Sequence, residues 1–325
     1  MPPETRGGEG SRAKDPDLPP SNDSPYGSHR VVWAGGRRAR DLAGALSNDG
    51  AIKAGSNLAA SCIESKANLL VLSNRTSFDL CSFAVPHGFD RDATRSIVAA
   101  VGGGPHSFLA ATLADWLSQR LSVPASAVYG YSDPSELSAA QDVLDKTTAR
   151  VPRLDVRAVE ASGPAAMVET LPAGTLLIVG APGGSWFQRR FFGPGARIQA
   201  KAPSGTIVVN HNPARVYQVM QPPVAYGLHM RVSDALQLSE DLDVVVAEHG
   251  ELLGTVKAET LRTARQDLEL HEVMDGDMFL SADDEISEAI DLVAPYGVGL
   301  VPVVDNQARL VGCVSAADLS VRPLA

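Results

Sequence analysis

A glycine-rich, basic loop in the middle of the chain has the composition of a phosphate-binding site. Arg189 and Arg190 lie in this loop, and no Asp or Glu occurs between residues 170 and 233, although the whole chain has a formal net charge of -10. Glycines let a backbone approach a phosphate closely, and a following helix adds N–H donors at its N-terminus. A tight turn before a solvated basic helix would give the same spacing, so both interpretations stay open. The glycines of the loop are Gly180, Gly183, Gly193 and Gly195.

A second group of polar side chains lies near the C-terminus, in residues 312–318 (GCVSAAD). Ser315 and Asp318 are three residues apart there. A carboxylate can accept hydrogen bonds from two adjacent donors, and a small hydroxyl can donate to an anion. The same spacing is that of a capping box, in which Ser315 begins a helix and Asp318 is its third residue. The two roles are compatible, and we expect this pair to contact a ligand.

The region in which this pair lies contains an internal duplication. Val219-Met220 recurs as Val273-Met274, and each pair is followed by a short helical segment, an apolar strand and a strand that contains a glycine. We therefore divide the region into a first half, residues 214–265, and a second half, residues 266–325.

The two halves differ at the polar positions. In the first half the segment equivalent to 312–318 is 254–260, where Lys257 and Thr260 replace the serine and the aspartate. The first half thus lacks the carboxylate.

Strands alternate with helices between residues 96 and 213, which predicts an α/β domain with a parallel sheet. Right-handed crossovers between successive strands would give one sheet of five strands. Gly102 directly follows the first strand, in the run Gly102–Gly104. The strands are predicted at 96–101, 125–131, 154–159, 175–180 and 205–210.

The first 95 residues contain two further segments. Residues 1–30 include six prolines among Gly, Ser and charged residues, a composition typical of a disordered tail. Residues 31–95 are predicted to be a truncated βα segment that packs on the next domain. In it we expect strands at 31–33 and 68–73, a helix at 52–66 and an apolar run at 80–86.

The glycine spacing and strand order over about residues 96–210 resemble the universal stress protein family. The family's loop is G-x-x-G, nine residues, then G-[S/T], and this chain matches it at Gly180, Gly183 and Gly193. It departs at Pro194, which lacks the hydroxyl, and at Gly102, where members that bind ATP have an Asp. The resemblance implies a five-stranded, nucleotide-binding-like domain with ATP as its ligand. It also implies a homodimer formed through the last strand, 205–210.

Residues 312–318 resemble the pattern G-h-x-[S/T]-x-x-[D/N] of CBS (cystathionine-β-synthase) domains, and the duplication supplies the expected pair. This resemblance implies two α+β domains in tandem. Because the first half lacks the carboxylate, it also implies one competent nucleotide site per pair, with Lys257 available to neutralise a phosphate. It further implies that Asp318 accepts the ribose hydroxyls of an adenine nucleotide, AMP or ATP, that Ser315 helps to hold the phosphate, and that residues 298–304 form a wall for the adenine.

Composition excludes several classes of function. The acidic charge argues against a nucleic-acid partner. Three cysteines without a CxxC pair favour a reducing compartment, and the chain has neither a signal peptide nor a long apolar run, so we expect a soluble, cytoplasmic protein. The seven histidines form no HExxH or HxH motif, so no metal is predicted.

These observations favour a non-catalytic regulatory protein that responds to adenine nucleotides. Two alternatives remain. One is an interaction module without a ligand that serves a membrane transporter or channel. The other is a slow ATPase based on the loop from Gly180 to Gly195.

Overall fold

The computed structural model describes residues 30–47, 49–181, 202–239, 242–276, 278–296 and 299–321. The predicted tail lies outside these ranges except for Arg30. Most of the predicted phosphate loop also lies outside them, and with it the predicted site residues Gly183, Arg189, Arg190, Gly193 and Gly195.

The described residues before position 214 form one nine-stranded sheet with the strand order β2-β1-β3-β4-β9-β8-β5-β6-β7. The expected parallel sheet is present, but the prediction of five strands is wrong because residues 31–95 add four more to the same sheet. The strands are β1 (Val31–Ala34), β2 (Ile52–Lys53), β3 (Leu69–Leu72), β4 (Phe83–His87), β5 (Ser96–Ala100), β6 (Ala125–Tyr131), β7 (Asp155–Glu160), β8 (Thr175–Gly180) and β9 (Thr206–Asn210).

Strands β5 to β9 are mutually parallel. The central strands β5, β8 and β9 have the apolar runs of a sheet covered on both faces. Every residue of β8 is buried. Helix α3 lies across the centre of one face, where its apolar side chains share a core with Leu42, Ile97 and Leu176. The helices of this part are α1 (Arg37–Leu46), α2 (Leu58–Glu64), α3 (Pro105–Leu121), α4 (Leu137–Arg150) and α5 (Pro164–Glu169).

The last strand of the predicted five, β9, has a neighbour on each side. It is parallel to β8 and antiparallel to β4, with a register that runs from Phe83 opposite Asn210 to His87 opposite Thr206. The edge that was expected to pair with a second copy is therefore occupied by the chain's own strand. The predicted route to a homodimer through residues 205–210 is wrong for this reason.

The helix predicted at 52–66 is shorter than expected. Ile52 and Lys53 are extended and lie beside β1, and the helix begins only at Leu58. The side chain of Asn57 accepts a hydrogen bond from the N–H of Ala60 at 3.1 Å, which is an ordinary N-cap. The apolar residues of this stretch therefore belong to two elements, which the spacing alone did not separate.

Each C-terminal half contains a three-stranded sheet with the same topology, as expected for an internal duplication. In each sheet the first two strands are parallel and the last two antiparallel. The first half contains β10 (Ala225–Tyr226), α6 (Val232–Leu238), β11 (Val244–Glu248), β12 (Glu251–Val256) and α7 (Ala258–Thr263). The second half contains β13 (Leu280–Ser281), α8 (Ile286–Val293), β14 (Val301–Val304), β15 (Leu310–Val314) and α9 (Ala316–Leu319).

The second half shares a hydrophobic core with strands β1, β3 and β4. Tyr217, in the opening segment of the first half, is fully buried in this core, and its hydroxyl donates to the carbonyl of Leu80 at 3.0 Å. Gln218 donates from Nε2 to the carbonyl of Ala67 at 2.8 Å. The nine-stranded sheet and the C-terminal region are therefore packed together through the opening segment of the first half, which contains Tyr217 and Gln218.

Within the described part of the chain, no helix has the length and apolar character that a membrane crossing requires.

Candidate ligand cleft between the C-terminal halves

The segment that opens each half pairs with the last strand of the other half. Gln221 and Cys313 exchange two backbone hydrogen bonds, of 2.8 and 3.1 Å, and Thr255 and Asp275 exchange two of 2.8 Å at the equivalent place. The two halves are thus joined crosswise.

A glycine allows each of these crossings. A Cβ atom at Gly312 would lie 2.6 Å from Sδ of Met220, and one at Gly254 would lie 2.7 Å from the carbonyl oxygen of Asp275. The repeated Val-Met pair and the repeated glycine are both visible in the sequence. The structure adds that the pair in each half passes over the glycine of the other half.

A cleft of about 240 Å³ lies beside the crossing of Gln221 and Cys313 and takes residues from both halves. This is just below the roughly 300–1,000 Å³ of typical ligand pockets, so it suits a base or nucleoside better than a dinucleotide. Three large apolar side chains of its lining are exposed: Val224 and Leu242 by 59% each, and Leu238 by 61%. A ligand that covered them would remove exposed apolar surface from water. The lining also includes Pro222, Tyr226, Asp243 and Leu300.

Asp318 and Ser315 are brought together at the start of α9. The N–H and the hydroxyl of Ser315 donate to Oδ2 of Asp318 at 2.8 and 2.6 Å, and the N–H of Asp318 donates back to Oγ of Ser315 at 3.2 Å. This is the capping box that the spacing predicted. Partial burial opposes ionisation, but these hydrogen bonds, that of Gln221 and the charge of Lys66 together hold the pKa of Asp318 below its usual value. The carboxylate is therefore ionised at neutral pH.

Gln221 connects this carboxylate to the cleft. It lines the cleft, and its Nε2 donates to Oδ1 of Asp318 at 2.8 Å. The neighbouring carbonyl of Met220 accepts a hydrogen bond from Nζ of Lys66, which belongs to the segment before β3. A cation of the sheet domain thus lies close to the carboxylate of the second half. Lys66 and Gln221 are each far from Asp318 in the sequence, so this arrangement could not be predicted from the sequence.

The first half has no equivalent carboxylate, as the sequence indicated. Lys257 is the N-cap residue of α7 and provides no side-chain cap, and Thr260 is at the third helical position. Lys257 lies in the other half from Asp318, and no contact joins the two side chains among the described interactions.

The function of the missing cap is taken by Asp243, which sequence reasoning missed. Its Oδ1 accepts from the N–H of Ala258 at 2.8 Å, and its Oδ2 accepts from the N–H groups of Gly299 and Leu300 at 2.7 and 3.3 Å. This single carboxylate therefore caps a helix of the first half and holds the start of β14 in the second. The sequence indicated such a residue only indirectly. Lys257 at the N-cap of α7 cannot accept a hydrogen bond, so the first N–H groups of this helix need an acceptor from elsewhere in the chain.

Gly102 and Gly180 lie together at the carboxyl ends of neighbouring strands β5 and β8. The N–H of Gly102 donates to Oγ of Ser107 at 3.0 Å. A Cβ atom at Gly180 would lie 2.8 Å from Cβ of His106, so this glycine allows the close approach of α3. Both glycines thus have a structural function in the described residues. Their predicted contact with a phosphate, and the ATPase alternative, depend on the loop that lies outside those residues.

His106 is held at the same edge of the sheet, where its Nδ1 accepts the N–H of His211 at 2.8 Å. Burial lowers the pKa of His106 below its ordinary value, and the charge of Arg75 lowers it further. The ring is therefore neutral at neutral pH, and its Nδ1 serves as an acceptor.

The comparisons with known proteins concern the C-terminal region. The family model of the CBS domain matches residues 270–322. No match to a curated protein was found. The matched residues correspond to the second half, and the first half has the same topology.

Several solved structures are similar to about a third of the chain. One is a CBS domain pair/ACT domain protein from Thermotoga maritima, with 23% identity over 32% of this chain and 92% of that one and a TM-score of 0.30. A second is a CBS domain pair in complex with 5′-methylthioadenosine and S-adenosyl-L-methionine, with 21% identity over 33% and 97% and a TM-score of 0.30. A third is the soluble part of a magnesium transporter, with 17% identity over 32% and 45% and a TM-score of 0.30.

Proposed function

We propose that this chain is a non-catalytic regulatory protein that binds an adenine nucleotide in the cleft between its two C-terminal halves. The observation that carries the proposal is the cleft itself. It exposes apolar side chains from the first half, and at its polar end Gln221 leads directly to the ionised carboxylate of Asp318. The match of residues 270–322 to the CBS family supports the same assignment, because adenine nucleotides are the expected ligands of that family.

In the proposed complex the base lies against Val224 and Leu242, and the ribose hydroxyls donate to Asp318. The carboxylate already accepts from Gln221 and Ser315, so the ribose must displace Gln221 or share Oδ1 with it. A carboxylate oxygen has lone pairs for two donors, so sharing is allowed. Lys66 then provides positive charge on the side of the sheet domain, which assists a phosphate. Lys257 stays a candidate for the same purpose from the first half.

In this proposal, nucleotide binding in the cleft is coupled to the sheet domain through contacts that the structure contains. The cleft is built from both halves, and the segment that carries Gln221 continues into Met220, which accepts from Lys66. A ligand that favours one arrangement of the two halves would change the packing of this segment against the sheet, provided that its affinity differs between the two states.

For the sheet domain we propose a universal-stress-protein-like fold with ATP as its ligand. The strand order β9-β8-β5-β6-β7 supports this proposal, and so does the position of Gly102 and Gly180 at the point where the strand order reverses. In this proposal residues 31–95 supply the partner strand that a second subunit would otherwise supply.

A second candidate function is favoured by one observation. Both oxygens of Asp318 already have donors within the chain, as a purely structural cap would. In that case the C-terminal region is an interaction module without a ligand, and its partner would be a membrane transporter or channel.

Calorimetric titration of the full chain with AMP, ADP and ATP tests the proposal. Asp318→Ala removes the charged acceptor of the ribose and should cost about 1.5–3 kcal/mol, which weakens binding roughly 10- to 150-fold. Thr260→Ala, at the equivalent position of the first half, is the matched control and should bind as the wild type does.

Two outcomes would contradict the proposal. If the wild type binds none of the three nucleotides, the interaction module replaces it. If Asp318→Ala binds as tightly as the wild type, the nucleotide lies elsewhere, and the sheet domain becomes the candidate.

A further inference from the structure

Three side chains that can ligate a metal meet where the first half contacts the start of the second, and none of them lines the cleft. They are His229, Glu269 and His271. Nδ1 of His229 lies 2.7 Å from Oε2 of Glu269, and Nδ1 of His271 lies 3.3 Å from the same oxygen. One potential ligand atom of each residue lies within 4.8 Å of those of the other two.

We propose that His229, Glu269 and His271 form a binding site for a transition-metal dication of the zinc class. Two imidazoles and one carboxylate are the ligand set of many zinc sites that keep a fourth position for water. Zinc binds such ligands at about 2.0–2.2 Å, so ligand atoms of a tetrahedral site lie about 3.3 Å from one another. The observed separations from Oε2, 2.7 and 3.3 Å, need only a small adjustment to admit an ion. Imidazole is a poor ligand for Mg²⁺, which excludes that ion as the preferred occupant.

The backbone holds the ligands in place before any ion arrives. The N–H of Leu270 donates to the carbonyl of Met230 at 2.9 Å, and the N–H of His271 donates to the carbonyl of Leu228 at 3.2 Å. These bonds flank His229 on one segment and fix Glu269 and His271 on the other. An ion would therefore join the segment before α6 to the start of the second half without a large rearrangement.

The exposure of the site limits its affinity but leaves it accessible. The side chains of His229, Glu269 and His271 are 72%, 39% and 43% exposed. The hydrogen bond from His229 lowers the pKa of Glu269 most. The charges of His229, His271 and Arg231 lower it further. In the absence of an ion, His229 is hydrogen-bonded to Glu269, and His271 lies beside the same carboxylate oxygen.

Titration of the untagged, EDTA-treated full chain with Zn²⁺, in competition with a chromophoric chelator, tests the site. We expect one ion per chain. His229→Ala and His271→Ala should each bind Zn²⁺ at least about tenfold more weakly, the lower end of the cost of losing a group that supports a metal. Co²⁺ in place of Zn²⁺ should give the visible absorption of a tetrahedral site in the wild type and lose it in both variants.

His249→Asn is the matched control, because His249 is an exposed histidine on the β11–β12 turn of the half that contains His229. Asparagine tolerates the positive φ of 53° at this position. This variant should bind Zn²⁺ as the wild type does. The proposal is overturned if the wild type binds no more tightly than His229→Ala and His271→Ala while circular dichroism shows all three chains folded. Equal weakening by His249→Asn would overturn it as well.

Discussion

Two carboxylates hold the C-terminal halves together, and they do so in different ways. Asp318 caps its own helix and reaches the opening segment of the first half through Gln221. Asp243 caps a helix of the first half and accepts from Gly299 and Leu300 of the second. In each case one side chain satisfies backbone or amide donors from both halves, so the relative position of the halves depends on a few charge-assisted hydrogen bonds.

The contribution of Asp243 can be measured directly. Asp243→Ala leaves three backbone N–H groups without their acceptor, and we expect the free energy of unfolding to fall by about 1–3 kcal/mol. Urea denaturation monitored by circular dichroism gives this value. Asp291→Ala, on the exposed face of α8, removes a carboxylate that makes no hydrogen bond or ion pair in the described part of the chain, and it should change stability by no more than about 0.5 kcal/mol. Equal effects of the two substitutions would show that the hydrogen bonds of Asp243 contribute nothing.

The sequence predicted one of these carboxylates and not the other, for a physical reason. The capping box of Ser315 and Asp318 is local, since its two residues are three apart, and its pattern is visible without a fold. Asp243 acts on residues 15 and more than 50 positions away. Nothing in the residues around it indicates which backbone groups the folded chain will bring to it.

The bounds of some strands could be predicted from the sequence, but their pairing could not. Strands β6 and β8 have the predicted bounds, because apolar runs are local signals. The pairing of β4 with β9 joins residues more than 110 positions apart and could not be predicted. The structure shows that this pairing brings the backbones of Gly88 and Gly205 so close that a Cβ atom at Gly205 would lie 2.2 Å from the oxygen of Gly88.

The crossed pairing of the two halves gives a prediction at the level of the elements. Gly312→Ala places a methyl group 2.6 Å from Sδ of Met220 and 2.9 Å from the carbonyl of Gln221, so the opening segment must move. We expect a loss of about 1–3 kcal/mol of stability, as for other overpacked sites. Differential scanning calorimetry would show the loss as a lower melting temperature.

Two further glycines complete this test. Gly254→Ala, at the equivalent crossing, would place its methyl 2.7 Å from the carbonyl of Asp275 and should lose a similar amount. A Cβ atom at Gly227 meets nothing within 4 Å, so Gly227→Ala should leave the melting temperature almost unchanged. If Gly312→Ala melts like Gly227→Ala, the two halves are not held as closely as the crossed pairing requires.

At the scale of the whole molecule, the hydrophobic cores do not follow the boundaries of the halves. The second half, the opening segment of the first half and one face of β1, β3 and β4 share one core. A separate core contains residues of the first half, such as Val232 and Val244, together with Leu270 from the start of the second half. Tyr217 lies in the shared core, and its burial raises the pKa of the phenol far above its usual value. We infer that the sheet domain and the second half unfold together, whereas the first half contributes little to the stability of the sheet.

This inference predicts that truncation of Tyr217 destabilises a domain to which the residue does not belong. Tyr217→Ala should lower the free energy of unfolding by about 3–5 kcal/mol, the range for truncation of a buried aromatic side chain. All three tryptophans, Trp33, Trp116 and Trp186, precede residue 213, and the two that the structure describes lie in the sheet domain. Tryptophan emission therefore reports on the part of the chain before the C-terminal halves. The emission midpoint in urea should therefore shift strongly in this variant. Val232→Ala is the matched control, because Val232 is equally buried but lies in the separate core. Its emission midpoint should stay close to that of the wild type.

If Tyr217→Ala leaves the tryptophan transition in place, the sheet is stable by itself. A nucleotide bound between the C-terminal halves would then have no route through this core to the rest of the chain.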